Sequence, residues 1–148
     1  MASGAPVTTL IEPLRPMLTQ AKATHLVLFT KYRHEARFPL GNYQVGNGMI
    51  EGAGLYVDQT KWTRVAGTNE RAPGFLSPYV YFQVSLVDLA SSTVLANETL
   101  LGATTRSAAR GESGGPWDAM TDEQKVKALV GIARKEAFAG TSRVLADP

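Results

Sequence analysis

The sequence predicts an α+β domain: a sheet of about four mainly antiparallel strands, with the N- and C-terminal helices packed on one face. Three observations carry this. Residues 79–101, YVYFQVSLVDLASSTVLANETLL, alternate between apolar and polar positions and then turn back on themselves. Residues 121–145 keep helical spacing behind a capping sequence. The helical and β periodicities occupy separate stretches of the chain.

The alternating stretch organises the rest. Val80, Phe82, Val84 and Leu86 fall on one side, with Tyr79, Tyr81, Gln83 and Ser85 on the other, which is the pattern of a half-buried strand. Asp88 opens a short polar segment, and Thr93-Val94-Leu95 resumes the extended pattern. The two runs therefore predict a hairpin with a loop of ~3–5 residues, with the Asp88 carboxylate capping the turn.

The other elements follow in order. Leu10, Leu14, Met17, Leu18 and Ala21 predict a helix within residues 7–23, where Thr9 and Glu12 fit a capping box and Pro16 forces a kink or a start. Residues 24–32, THLVLFTKY, are apolar on both faces and predict a central strand. A polar, glycine-rich region fills 33–48. Extended alternation returns over 49–58, with Gly52, Gly54 and Tyr56 on one face, and glycines there mark a bulge, a bend or a close neighbour. Pro73, Gly74 and Pro78 make 61–78 a long loop, and 102–116 reads as a second one.

The last helix has the strongest start signal. Thr121 and Gln124 form a capping box, and Asp122 and Glu123 sit where the helix dipole favours negative charge. Val126, Leu129, Val130, Ala133 and Ala137 make its apolar stripe, and Gly140 is its weak point. No repeat or linker divides the chain, so residues 1–148 form a single domain.

Composition removes several function classes. The chain has 148 residues, 44% hydrophobic and 19% charged, which suits a packed globular core rather than a disordered segment. Its fifteen basic and thirteen acidic residues give a net charge of +2 spread along the whole length, unlike a nucleic-acid binder. The absence of cysteine excludes disulfides, thiolate metal sites and a catalytic thiol. No apolar run is long enough for a transmembrane helix, and the first residues show neither the basic segment nor the apolar core of a signal peptide.

The motifs are read with the same physics. Gly46-Asn47-Gly48 and Gly52-Ala53-Gly54 lead into a strand rather than a helix, so no nucleotide cofactor is expected. His25 and His34 lack a ligand cluster, so no metal is expected. Residues 111–115 match G-x-S-x-G by letters, yet no histidine follows them. These readings leave no catalytic residue.

Two groups remain as candidate binding residues. Tyr79, Tyr81 and Gln83 share a face that Tyr56 can join from a neighbouring strand, where tyrosine suits recognition. The simpler role is that Tyr81 covers Gly52 or Gly54 across the sheet. Arg106 and Arg110 could hold an anionic substrate between the loops 33–48 and 102–117, the basis of an alternative reading as a small enzyme.

Helix, strand 24–32, glycine-rich excursion 41–54, a strand, alternating strand 80–88, the turn D-x-x-S-S-x-V-L at 88–95, then a polar loop and a helix: this order resembles the periplasmic α/β domain of bacterial envelope proteins. That family includes the curli-secretion lipoprotein and the N-terminal domain of the Tol–Pal system's β-propeller protein. The family turn is commonly D-x-x-T-G-x-V-L, and Ser92 stands here in place of its glycine. Family members usually open with a further strand before the first helix, so the chain reads as a piece lacking that strand. The resemblance implies an exported, periplasmic protein that works by binding or assembly, and it carries over no catalytic residue. The leading expectation is a non-catalytic binding or structural module of the cell envelope. A small sheet leaves an edge open, with 49–58 and 93–101 as candidates, so self-association into a homodimer or capture of a protein partner along that edge is expected.

Overall fold

The computed structural model describes residues 6–64, 68–107 and 115–146. The architecture is α+β and mainly antiparallel, with helices at both termini and a sheet curled into a half barrel. Helices α1 (Val7–Ile11) and α2 (Arg15–Gln20) flank a 3₁₀ turn, Glu12–Leu14. The strands are β1 (His25–Lys31), β2 (Arg33–Glu35), β3 (Phe38–Leu40), β4 (Tyr43–Val45), β5 (Met49–Arg64), β6 (Arg71–Asp88), β7 (Thr93–Ala103) and β8 (Arg106–Ser107). A second 3₁₀ turn, Pro116–Ala119, leads into α3 (Asp122–Ala146).

The expected count of four strands is too low. Six strands form one sheet, and β3 with β4 forms a separate pair. The excess comes from the excursion 33–48, which is not an open loop, and from β8. The 61–78 loop is also corrected, because β5 runs on to Arg64 and β6 already begins at Arg71. Both of its prolines lie inside β6. Pro78 is tolerated because it falls where β7 ends and β8 has not begun, with its carbonyl taken by the Thr104 N–H at 3.1 Å. Pro73 sits beside the irregularity of β5 between Asp58 and Trp62.

The 18-residue β6 is the common neighbour of four strands. On one side its last seven residues pair with β1, and its earlier part pairs with β5. On the other side it pairs with β7 and β8. The chain changes partner at Tyr32: its N–H still donates to the Tyr81 carbonyl at 3.0 Å, while Arg33 already pairs with Glu51 of β5. Gly52 stands at this fork with φ +69°, a left-handed conformation that other residues adopt at a cost. The expected hairpin is present, with residues 89–92 as its loop and a bulge at Leu95. The strand expected to be central is not. In the order β1-β6-β5-β2, β1 is an edge strand, and β6 occupies the centre.

Alternation along β6 builds two cores on opposite faces. Val84 and Leu86 pack with Leu100 and Val144 of α3. Phe75 packs with Ala36, Phe38 and Val45 of the folded-over excursion, with Tyr56, Tyr79 and Ala103 around them. The α3 capping box forms as expected, with Thr121 and Gln124 exchanging bonds of 3.0 and 3.2 Å. Its buried face is rotated from the expected stripe, since Val126 and Val130 are exposed while Lys125, Gly140 and Val144 are buried. Gly140 is the point of closest approach. A Cβ there would lie 2.7 Å from Leu100 and 2.9 Å from Val84. Lys125 closes the start of α3, its Nζ 4.0 Å from the Trp117 ring centre and 2.9 Å from Asp122 Oδ1.

The N-terminal helices are placed differently from α3. Whereas α3 lies along β6 and β7, α1 and α2 stand against the β6–β7 turn, where the Arg15 guanidinium donates to Ser92 Oγ at 3.2 Å. The Thr9–Glu12 capping box does not form. Pro6 precedes the helix without a side-chain cap, and Glu12 instead accepts a hydrogen bond from Arg15 at 2.8 Å.

Candidate functional site

The tyrosine-bearing face is enclosed by the excursion. Gly52 pairs with Tyr81 and Gly54 with Tyr79, so each tyrosine stands directly across the ladder from a glycine. The expected cover by Tyr81 is corrected: a Cβ on Gly54 would come within 2.9 Å of the Tyr79 hydroxyl, so Tyr79 fills the space that glycine leaves, while beside Gly52 the nearest side chain is Lys31, at 3.4 Å. Tyr81 is 1% exposed, and its hydroxyl donates to the Arg37 carbonyl at 3.2 Å and accepts from the Arg37 N–H at 3.4 Å. The Tyr56 hydroxyl holds the other end of the excursion, bonding the Asn47 N–H and carbonyl at 3.1 Å each. Two tyrosines thus pin residues 36–48 onto the sheet by their first and last turns. Burial pushes the Tyr79 and Tyr81 hydroxyls above the ordinary tyrosine pKa, with the Glu51 charge adding to the rise at Tyr79.

The remaining sequence-predicted residues do not converge on that cluster. Gln83 lies further along β6, half-buried and opposite Thr30 of β1. Arg106 pairs with Leu76, which places it on the other face of the sheet from Tyr79 and Tyr81. It is exposed and forms no ion pair among the described residues. Arg110 and most of the G-x-S-x-G segment lie outside the described residues. His25 is in β1 and His34 in β2, and no group of three or more acidic or histidine side chains among the described residues is placed to hold a metal ion. No described helix is long and apolar enough to cross a membrane.

Two features were not read from the sequence as sites. The first is a cleft of about 390 Å³ between the N-terminal helices and the β6–β7 turn, with Ile11, Leu18 and Leu89 as apolar lining and Arg15, Thr24 and Asp88 as polar lining. Its volume is in the lower range for small-ligand pockets. Its charged groups are already engaged. Asp88 accepts from the Ser91 hydroxyl, from the Ser91 N–H at 3.0 Å and from the Ala90 N–H at 3.4 Å, and these bonds, the hydroxyl first, hold its carboxyl below the usual range.

The second is the outer side of β1. Tyr32 and Thr24 both bond toward β6, through Tyr81 and Leu89, which fixes the phase of the ladder. Main-chain groups of Leu26, Leu28 and Thr30 therefore point into the sheet, and those of His25, Val27, Phe29 and Lys31 point away from it. Among the described residues nothing pairs with that outward row. The run contains no proline and no acidic side chain, and Phe29 is 40% exposed. The outer sides of β7 and of β5 beyond Gly52 are likewise unpaired among the described residues. Sequence reasoning identified the latter two as edges and missed β1, because strand order is set by distant pairing and leaves no local trace. Comparison with protein-family models, with curated proteins and with solved structures found no match.

Proposed function

We propose that this chain is a non-catalytic binding module of the bacterial cell envelope, exported to the periplasm, that acts by adding strands of protein along its open sheet edges. The observation that carries the binding half is the strand arrangement. Over residues 79–88 β6 is paired on both sides, and among the described residues β1, β5 beyond Gly52 and β7 carry long runs of unpaired main-chain N–H and C=O groups. The tyrosine hydroxyls support it by serving internal roles, which leaves main-chain edges as the recognition chemistry. The envelope half rests on the resemblance in element order. Fractionation of cells expressing the native gene tests it: recovery with the periplasmic or membrane fraction is expected, and recovery with the cytosol alone overturns it.

The rival reading is a small enzyme with an anionic substrate near Arg106 and Arg110. One observation favours it: Arg106 is exposed and forms no ion pair among the described residues. Turnover of any phosphorylated or carboxylated small molecule, lost in the double variant Arg106→Ala/Arg110→Ala with melting unchanged, would replace the binding module with this enzyme.

A further inference from the structure

We infer that the β1 edge takes a second copy of this chain, antiparallel, about a two-fold axis through Leu28. The inference deepens the strand-addition reading and rests on it. Four residues present their main-chain groups outward, His25, Val27, Phe29 and Lys31. Only one symmetric register uses all four. With the axis at Leu28, Val27 faces Phe29 of the other copy and His25 faces Lys31, each as a hydrogen-bonded pair, and the two Leu28 residues meet as a non-hydrogen-bonded pair. An axis at Val27 strands Lys31, and an axis at Phe29 strands His25.

The side chains fit the same register. Directly opposed residues share a face, so Val27 meets the aromatic ring of Phe29 from the other copy, and Leu28 meets Leu28. No like acidic charges are opposed. At the ends the row becomes Asp88, His25, then Lys31 of the other copy, so the Asp88 carboxylate one strand away offsets the one place where two basic side chains are opposed. A parallel arrangement would bring like ends together. The other edges are less suited: β7 carries Glu98 in mid-strand and a bulge at Leu95, and β5 carries Asp58 and an irregular stretch after it.

The absence of native cysteine makes the axis directly testable. In Leu28→Cys, each copy carries one thiol, and the register places the two at the short separation of a non-hydrogen-bonded pair. Under mild oxidant it should form disulfide dimer about tenfold faster than Phe29→Cys, whose symmetry mate lies two pairs away, or Thr99→Cys on β7. The cysteine-free chain should show dimer by light scattering within about 10–200 μM, because a seven-residue ladder is a small interface. Phe29→Pro removes an outward N–H without touching a bond to β6, so it should melt like the parent and scatter as a monomer.

Equal cross-linking at Leu28 and at both controls overturns the axis. If Thr99→Cys cross-links fastest instead, the inference fails while the strand-edge reading stands, with β7 as the contact. A parent chain that stays monomeric at all concentrations, with slow cross-linking at every position, overturns the self-pairing altogether. Whether the protein is enveloped is decided separately by fractionation.

Discussion

The two halves of β6 have the same alternation and opposite surroundings. Residues 75–81 are paired with β5 on one side and with β8 and β7, across a gap at Pro78, on the other, and they are enclosed, with Phe75, Leu76, Val80 and Tyr81 at 0–1% exposure and an aromatic cover held down by hydroxyl bonds. Residues 82–88 are also paired on both sides, but their partners β1 and β7 are themselves edges, and Phe29, Val94 and Leu95 on those partners are exposed. A strand's own burial therefore says little about its neighbours'. The first half stores stability, and the second half presents surface.

The largest effect should come from the enclosed half. Phe38→Ala removes a side chain that is fully buried between Tyr56, Phe75 and Tyr79, and is expected to cost about 3–5 kcal/mol in denaturant unfolding. A shift no larger than that of a surface substitution would mean the excursion is not packed on the sheet. In the other half the helix can be ranked against itself. Val144→Ala, at the α3 core, should cost about 1.5–3 kcal/mol, whereas Val130→Ala should stay within about 0.5 kcal/mol. The reverse order would restore the stripe centred on Leu129 and Val130. A smaller loss, about 1–2 kcal/mol, is expected for Tyr81→Phe, which leaves the Arg37 main chain without its partner. If Tyr81→Phe melts like the parent, the hydroxyl does not hold the excursion.

The pH response should divide the halves as well. The raised pKa values of Tyr79 and Tyr81 mean that stability is fully present below pH 10, the unfolded value, and declines as pH rises toward the folded values. The lowered pKa of Asp88 works the other way: its contribution is present above the unfolded value of 3.8 and is lost as pH falls through the folded one. Amide exchange across an alkaline and an acid series should loosen 36–48 first in alkali and the β6–β7 turn first in acid. Identical responses in both regions would break the distinction.

Local signals in the sequence were read well where the physics is local. The Asp88 turn and the Thr121–Gln124 capping box both follow from neighbours in sequence. The errors share one cause. Pro73 and Pro78 suggest a loop until β6 is known to have a gap between β7 and β8 at one of them and an irregular partner at the other. Gly140 suggests a helix defect until Leu100 and Val84 are known to lie against it. Apolar THLVLFTKY suggests a central strand, but edge or centre depends on which strand pairs next, and that information is spread over the whole chain. The candidate contact residues were legible as residue types, while their separation by the sheet, with Arg106 on one face and the tyrosines on the other, was not.

The position of β6 between four other strands also sets how the chain must fold. Every pairing in its half barrel except those of the two short excursion strands and of β2 waits on this one segment, and β1 reaches it only across the intervening 50 residues between Lys31 and Phe82. The entropy of closing that loop comes before any reward from β1, so relaxation in the millisecond-to-second range is expected rather than the microseconds of helical proteins. The hairpin β6–β7 is the natural nucleus, with β1 docking late. Mutations in β1 should then accelerate unfolding while leaving the refolding rate nearly unchanged, and the amides of β6 should exchange only when the entire molecule opens.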